Sequence, residues 1–283
     1  MIAVEQLREQ PSGGFCLQID ALRLHPGLTL LVGANGAGKT TLLELLATVR
    51  MPYRGTIRYQ RRSALEDLPL VRSQIGYVPA DIELYEEMTT YRLLAYFSEL
   101  KGVFHPERAG ELIRDFRLEP YRNTRIKALS QGVRRRIVLA QSLLAAPNFL
   151  FLDEPLNAMD SEERKLVVSY LNRYAEGRTV IAAVHEMNEW GAAADYIVWL
   201  DRGQVRFCGR KSSWLEELPY RVWEGAITRE QFAACPEEGL IVFREVPGGM
   251  YVRLVAESPP FPGLAEGEPS LEDVYFMRKH AGG

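Results

Sequence analysis

The stretch Gly33-Ala34-Asn35-Gly36-Ala37-Gly38-Lys39-Thr40 constrains this chain more than any other. It fits Gly-x-x-x-x-Gly-Lys-Ser/Thr, the loop that wraps the phosphates of a nucleotide. Its glycines let successive backbone N–H groups turn inward around an anion, where a Cβ would obstruct them. In that arrangement Lys39 neutralises the β- and γ-phosphates and the Thr40 hydroxyl holds magnesium. Leu28-Thr-Leu-Leu-Val32 precedes the loop as a short apolar strand, and Thr41-Leu-Leu-Glu-Leu-Leu-Ala47 follows at helical spacing. Strand, loop and helix put the phosphates at a helix N-terminus, where the dipole and free N–H groups favour them. The ligand these residues imply is a nucleoside triphosphate, held by Gly33 through Thr41.

A length of 283 residues suits one large or two modest domains with a real core. The formal net charge of −3 offers no electrostatic case for nucleic acid, so none is expected as a partner. Arg134-Arg135-Arg136 is the densest basic run and reads as a solvated helix face. Cys16, Cys208 and Cys235 are scattered without CxxC spacing, which argues against a disulfide frame or zinc site and fits a reducing cytosol. The N-terminus lacks the layout of a signal peptide. Apolar stretches such as Ile137 to Leu152 are broken by Gln141, Ser142, Pro147 and Asn148, so any membrane role is expected to come through a partner chain.

Strands are expected at Ile2 to Leu7, Phe15 to Asp20, Thr56 to Tyr59 and Gln74 to Val78. Between Thr89 and Arg117 the pattern is helical, with Leu93, Leu94, Phe97 and Leu100 as one stripe and Gly102 and Pro106 dividing it into two helices. Ser130 caps a helix to about Ala146. Phe149 to Leu152 and Thr179 to Val184 are buried strands flanking a helix from Glu162 to Tyr174, and a hairpin turns at Asp201-Arg-Gly203. Apolar strands alternating with helices imply an α/β fold whose parallel sheet is covered on both faces. After about Arg210 short alternating segments and a Pro/Gly-rich link, Ser258 to Pro269, suggest a small α+β appendage ending in a capped helix at Ser270 to Met277.

Asp153 and Glu154 end the strand that begins at Phe149. Asp153 suits magnesium, which prefers hard oxygen ligands, through water or Thr40. Glu154, one residue on, can face the attacking water as general base.

With these residues in order, the chain resembles the nucleotide-binding subunits of ATP-binding cassette (ABC) transporters. Leu129-Ser130-Gln131-Gly132-Val133 is similar to that family's signature, usually written LSGGQ. The resemblance implies ATP and Mg2+ as cofactors and a P-loop NTPase core with a mostly parallel sheet. It adds an antiparallel β subdomain and a helical signature subdomain at about 85–145. Residues 1–210 would form the nucleotide-binding domain and 211–283 a small C-terminal accessory domain.

The family places Ser130, Gln131 and Gly132 against the γ-phosphate of a second ATP-binding subunit, Asp160 across the dimer, and His185 beside the γ-phosphate. A neutral His185 imidazole there could also orient Glu154. Phe15 is the candidate for the aromatic that stacks on adenine; core packing is the alternative for it, and Tyr53 or Tyr59 are alternative stackers. Ala80 stands where the family has a glutamine that touches magnesium and the attacking water; Asp81 or Glu83 are the candidates to replace it. The ending Ser270-Leu-Glu-Asp-Val-Tyr-Phe resembles type-two exporter ATPases. The implied function is ATP hydrolysis that powers export of a small molecule, drug, antibiotic or peptide through a separate membrane permease. Such a subunit would sit in the cytoplasm on the inner face of the cell membrane. The alternatives are a soluble non-transport ABC ATPase and a nucleotide-dependent regulator with weak hydrolysis.

Overall fold

Runs of residues apolar on both faces build the sheet around which the first part of the chain folds. A computed structural model describes residues 1–10, 15–81, 83–103, 105, 107–216, 218, 220–235 and 239–281. It divides into two units, Met1–His185 with Ala192–Gly209, and Glu186–Gly191 with Arg210–Gly283.

In the first unit a six-stranded sheet runs in the order Gln204–Arg210, Tyr196–Asp201, Gly27–Val32, Thr179–Ala183, Phe149–Asp153, Ile75–Val78. The inner pairings are parallel, and every residue of Phe149–Asp153 and Thr179–Ala183 is buried. Burial on both faces explains why these strands are continuous apolar runs rather than alternating ones. A second, antiparallel sheet has the order Leu17–Leu24, Ile2–Glu9, Arg54–Tyr59, Arg62–Ser63. The helix Lys39–Leu46 packs its Leu42, Leu43, Leu45 and Leu46 into the core these sheets share, with Phe149 and Phe151 from the central strand. Each such side chain stabilises the fold by about 1.5–3 kcal/mol relative to exposure.

The helices Thr90–Leu100, Glu107–Asp115 and Gln131–Ser142 form the helical part of this unit. Thr89 caps the first through its hydroxyl, which accepts from Arg92 N. Leu93 and Leu94 are buried, but Leu100 is 62% exposed, so the expected stripe stops short of the helix end. Pro106 lies outside the described residues. The helix begun at Ser130 ends at Ser142, four residues before the expected Ala146. Ala146 has φ +45°, a turn conformation, and Pro147 follows it, which disfavours helical geometry at the preceding residue. The basic run also departs from expectation. Arg135 and Arg136 are 2% and 5% exposed, so two of its three residues point inward rather than into solvent.

The second unit holds a four-stranded antiparallel sheet, Leu240–Val246, Gly249–Ala256, Arg221–Ile227, Ala265–Gly267. Its closing helix, Leu271–Ala281, begins in a reciprocal cap: Asp273 N donates to Ser270 Oγ and Ser270 N donates to Asp273 Oδ2. Arg253 ties the sheet to this helix, donating to both oxygens of Asp273 and bonding Glu224. Glu272 accepts from Met187 N and Asn188 N, which is why Glu186–Gly191 belongs to this unit. No sequence signal marks that segment. Among the described residues no helix is long and apolar enough to cross a membrane.

Candidate active site

Strand register assembles the site. Leu31 pairs with Ala183 and Asp153 pairs with Ala183 from the other side, so three parallel strands end at one level. The next residues of each are therefore neighbours: the Gly33 loop, Glu154, and Val184 with His185. Ligands of such sheets bind beyond the carboxyl ends of the strands. A cleft of about 730 Å³ lies there, lined by Phe15, Ala34, Asn35, Gly36, Gly38, Lys39, Thr40, Thr41, Glu154 and His185.

The loop closes onto its helix through Gly38, whose φ of +106° is a conformation that side chains rarely adopt. A Cβ at Gly38 would also stand 2.7 Å from the Phe15 ring, so the glycine lets that ring lie against the loop. Ala37 O accepts from Gly203 N at 3.0 Å, so the hairpin turn after Asp201 buttresses the loop. Lys39 is 7% exposed, and its Nζ donates to Gly33 O at 2.7 Å and Ala34 O at 3.3 Å. Burial lowers its pKa against the support of Glu154 and Asp153. The cation is thus held largely stripped of water, where an incoming phosphate is its best counter-charge.

Thr40 Oγ1 donates to Asp153 Oδ2 at 2.7 Å. Burial pushes the Asp153 carboxyl above its usual range, aided by the charge of Glu154 and opposed by Thr40 and Lys39. Glu154 follows at φ +48°, strained for a residue with a side chain, and this turn swings its carboxylate out of the sheet toward the cleft. His185 Nε2 lies 2.6 Å from Glu154 Oε1, and Asn157 Nδ2 donates to Oε2. An ionised carboxylate only accepts, so the His185 proton sits on Nε2. Burial works to raise the Glu154 carboxyl, but the bonds from Asn157 and His185 and the charge of Lys39 outweigh it and hold it low.

That balance yields a pH prediction. If Glu154 must be ionised to act, His185→Ala removes one of the bonds that keep its pKa down. The acid limb of the kcat/KM profile for ATP then moves to higher pH, while its plateau also falls. An acid limb left in place would contradict the assigned contact.

Ser130 and Gln131 are exposed at the start of their helix, and Ser130 Oγ accepts from Val133 N at 3.3 Å. Gly132 is buried against the next loop, where a Cβ would meet Ala158 O at 2.7 Å. Asp160 Oδ1 accepts from Glu162 N and Glu163 N in a capping box that starts the helix Ser161–Tyr174. Asp81 and Glu83 are exposed and not part of the cleft lining, which leaves position 80 without a polar substitute there. Tyr59 is 3% exposed, with its hydroxyl bonded to Leu46 O, and Tyr53 is 75% exposed; neither lines the cleft, whereas Phe15 does. The sequence did not single out Asn157, and it marked Arg135 only as part of a solvated basic face. Asn157 falls three residues after Glu154 in a turn, a spacing at which its amide can return to the carboxylate.

The family model described as ABC transporter matches residues 19–157. The chain is 28% identical over 276 residues to the uncharacterised ABC transporter ATP-binding protein YxlF of Bacillus subtilis (strain 168), covering 89% of this chain and 90% of that one. It is 27% identical over 259 residues to ATP-binding cassette sub-family A member 17 of Rattus norvegicus. That match takes in 90% of this chain and only 15% of the relative, so the chain spans about a seventh of that protein. In fold it is similar to the ATP-binding cassette MJ0796, solved as a dimer in a post-hydrolysis state with ADP and Pi. The TM-score is 0.67 at 21% identity, over 74% of this chain and 98% of that one. The P-loop cleft, the carboxylate pair and these likenesses support an ATP-binding subunit of the ABC transporter type.

Proposed function

We propose that the chain hydrolyses ATP in a composite site shared with a second ATP-binding subunit, and so drives export through a separate membrane permease. The observation that carries this is the contact of Glu154 with His185 and Asn157 at the mouth of the phosphate-loop cleft. A carboxylate fixed by two donors is poised to take the proton of an attacking water. Lys39 and the loop N–H groups, Gly33 to Thr41, hold the triphosphate. His185 keeps the Glu154 carboxylate aimed and ionised, and Phe15 offers its ring to the base.

The neighbouring Thr40 hydroxyl and Asp153 carboxylate are hard oxygen donors 2.7 Å apart, a set that fits Mg2+. Bound there, the ion would supply charge neutralisation across the phosphates. Ser130, Gln131 and Gly132 open a helix whose free N–H groups suit an anion, and we assign them to the γ-phosphate of the partner subunit's ATP. The loop Leu156–Asp160 belongs to the same dimer face, with the Asp160 cap fixing its shape. Closure would exclude water and let these fixed donors stabilise the charge that develops on the transferred phosphoryl.

Residues 1–210 are the cassette in this reading and residues 211–283 an accessory domain, whose capped helix at Ser270 to Met277 supports the exporter class. The helices between Thr89 and Arg117 and the loop at Ala80 would face the permease, which would hold the chain on the cytoplasmic side of the cell membrane. Ala80 favours one second reading, a nucleotide-dependent regulator with weak hydrolysis. Magnesium-dependent phosphate release separates the two, measured on the full chain alone and with its copurifying membrane protein. Turnover in either setting supports the ATPase motor; none in both would leave the regulator.

A further inference from the structure

Arg135 is the residue whose placement the sequence least explains. It lies in the second turn of the helix Gln131–Ser142, where its guanidinium is buried and bonded to four backbone carbonyls. Nη1 donates to Pro79 O at 2.8 Å and to Ala80 O at 2.9 Å. Nη2 donates to Asp153 O and Glu154 O, each at 2.6 Å. Three segments of the site therefore meet on one planar group: the signature helix, the loop at position 80, and the end of the carboxylate strand.

The geometry calls for arginine. Two terminal nitrogens in a rigid fork reach two pairs of carbonyls at once, which a lysine ammonium with three donors cannot do. Burying a cation is costly, and here desolvation lowers the Arg135 pKa against the charges of Asp153, Glu154 and Asp81, while the four carbonyls accept its hydrogens. Its four bonds fall on backbone that the sheet leaves open. The Phe149–Asp153 strand ends there, and Glu154 turns away at positive φ. Ala80, on the other side of the clamp, has no polar side chain to send toward the cleft.

We propose that Arg135 is a positioning residue for ATP hydrolysis: it clamps the Pro79–Ala80 backbone to the Asp153–Glu154 backbone, so that the Glu154 carboxylate is held on the attacking water without a polar side chain at position 80. This rests on the hydrolytic reading of Glu154 above. Arg135 does not line the cleft, so it acts on the rate and not on the grip on ATP.

The test uses the full chain and five variants: R135K, R135Q, E154Q, E154Q/R135K and A80Q/R135K. Misplacing a reacting group by about an ångström costs on the order of a hundredfold, so R135K is expected to lower kcat by roughly tenfold to a hundredfold. ATP affinity, measured by equilibrium binding to the same preparations, stays near that of the unsubstituted chain. In the E154Q background, R135K has no further effect on the residual single-turnover rate, because the group it positions is already disabled. R135Q carries the same comparison if the lysine variant is unstable. A rescue follows: adding A80Q to R135K recovers part of the lost kcat. Full kcat in R135K, equal fold-losses with and without Glu154, or ATP affinity falling in step with the rate would each overturn the clamp. An unsubstituted chain with no turnover would contradict the hydrolytic reading and the clamp together, whereas an active chain indifferent to R135K would contradict the clamp alone.

Discussion

Glu154→Gln lowers ATP turnover by about 10²–10⁴-fold, the usual worth of a positioned general base, while ATP binding persists or tightens. The amide keeps the shape of the carboxylate; its oxygen still accepts from His185, and its NH2 can donate to the Asn157 side-chain oxygen once that amide turns over, so the local turn at φ +48° has no reason to change. It cannot accept a proton from water. It also removes a negative charge from a cleft that must hold a triphosphate, which relieves like-charge repulsion. Substrate then enters and is not consumed, and with Mg2+ and ATP the variant accumulates as a closed dimer. Size-exclusion with light scattering reads this directly; a variant that remains monomeric under saturating Mg–ATP would remove the two-subunit site.

The second large effect is expected at Lys39. Its Nζ presently donates to two loop carbonyls, Gly33 O and Ala34 O, in a buried setting that depresses its pKa. A charge-assisted hydrogen bond contributes about 1.5–3 kcal/mol, which for one or two phosphate contacts corresponds to roughly tenfold or more in affinity. Lys39→Ala therefore loses ATP by that factor or more. The charge itself is no loss to the fold, because burial lowers the lysine pKa; the loss from truncation is confined to the buried stem and the two bonds to the loop carbonyls, which leaves the chain folded. The sign of linkage is clear: a lysine depressed on folding weakens the fold at pH values where it is charged, so removing it does not destabilise on this account. Equilibrium ATP binding alongside thermal unfolding checks both halves, and unfolding in step with lost binding would refute the account of Lys39.

Much of the fold is legible where local and global signals agree. The strand, glycine loop and leucine-rich helix around Gly33 to Thr40 carry their own geometry, and continuous apolar runs at Phe149 and Thr179 mark strands buried on both faces. Parallel register then brings Glu154 and His185 together, although they are 31 positions apart. Arginines at 135 and 136 were misleading for a definite reason. The helix that bears them is buried on most sides, so its polar residues do not mark a solvent face, and most of their partners are backbone carbonyls that no composition reveals. Arg136 meets Phe116 O and the Glu163 carboxylate, contacts that exist only once three segments have packed. The segment Glu186–Gly191 carries no local signal for the same reason, because its attachment depends on Glu272, 85 positions beyond Met187.

The composite site is tested most directly by mixing two disabled chains. One carries Lys39→Ala and cannot hold ATP in its own cleft, but retains Ser130. The other carries Ser130→Arg, which blocks its signature helix, but retains Lys39, Asp153, Glu154 and His185. Each alone is expected to be inactive in magnesium-dependent phosphate release. In the mixed dimer, one cleft combines the intact machinery of the second chain with the intact Ser130 of the first, so activity returns on mixing. Two inactive chains that stay inactive when mixed, while sizing shows that they associate, would contradict a site built from two subunits.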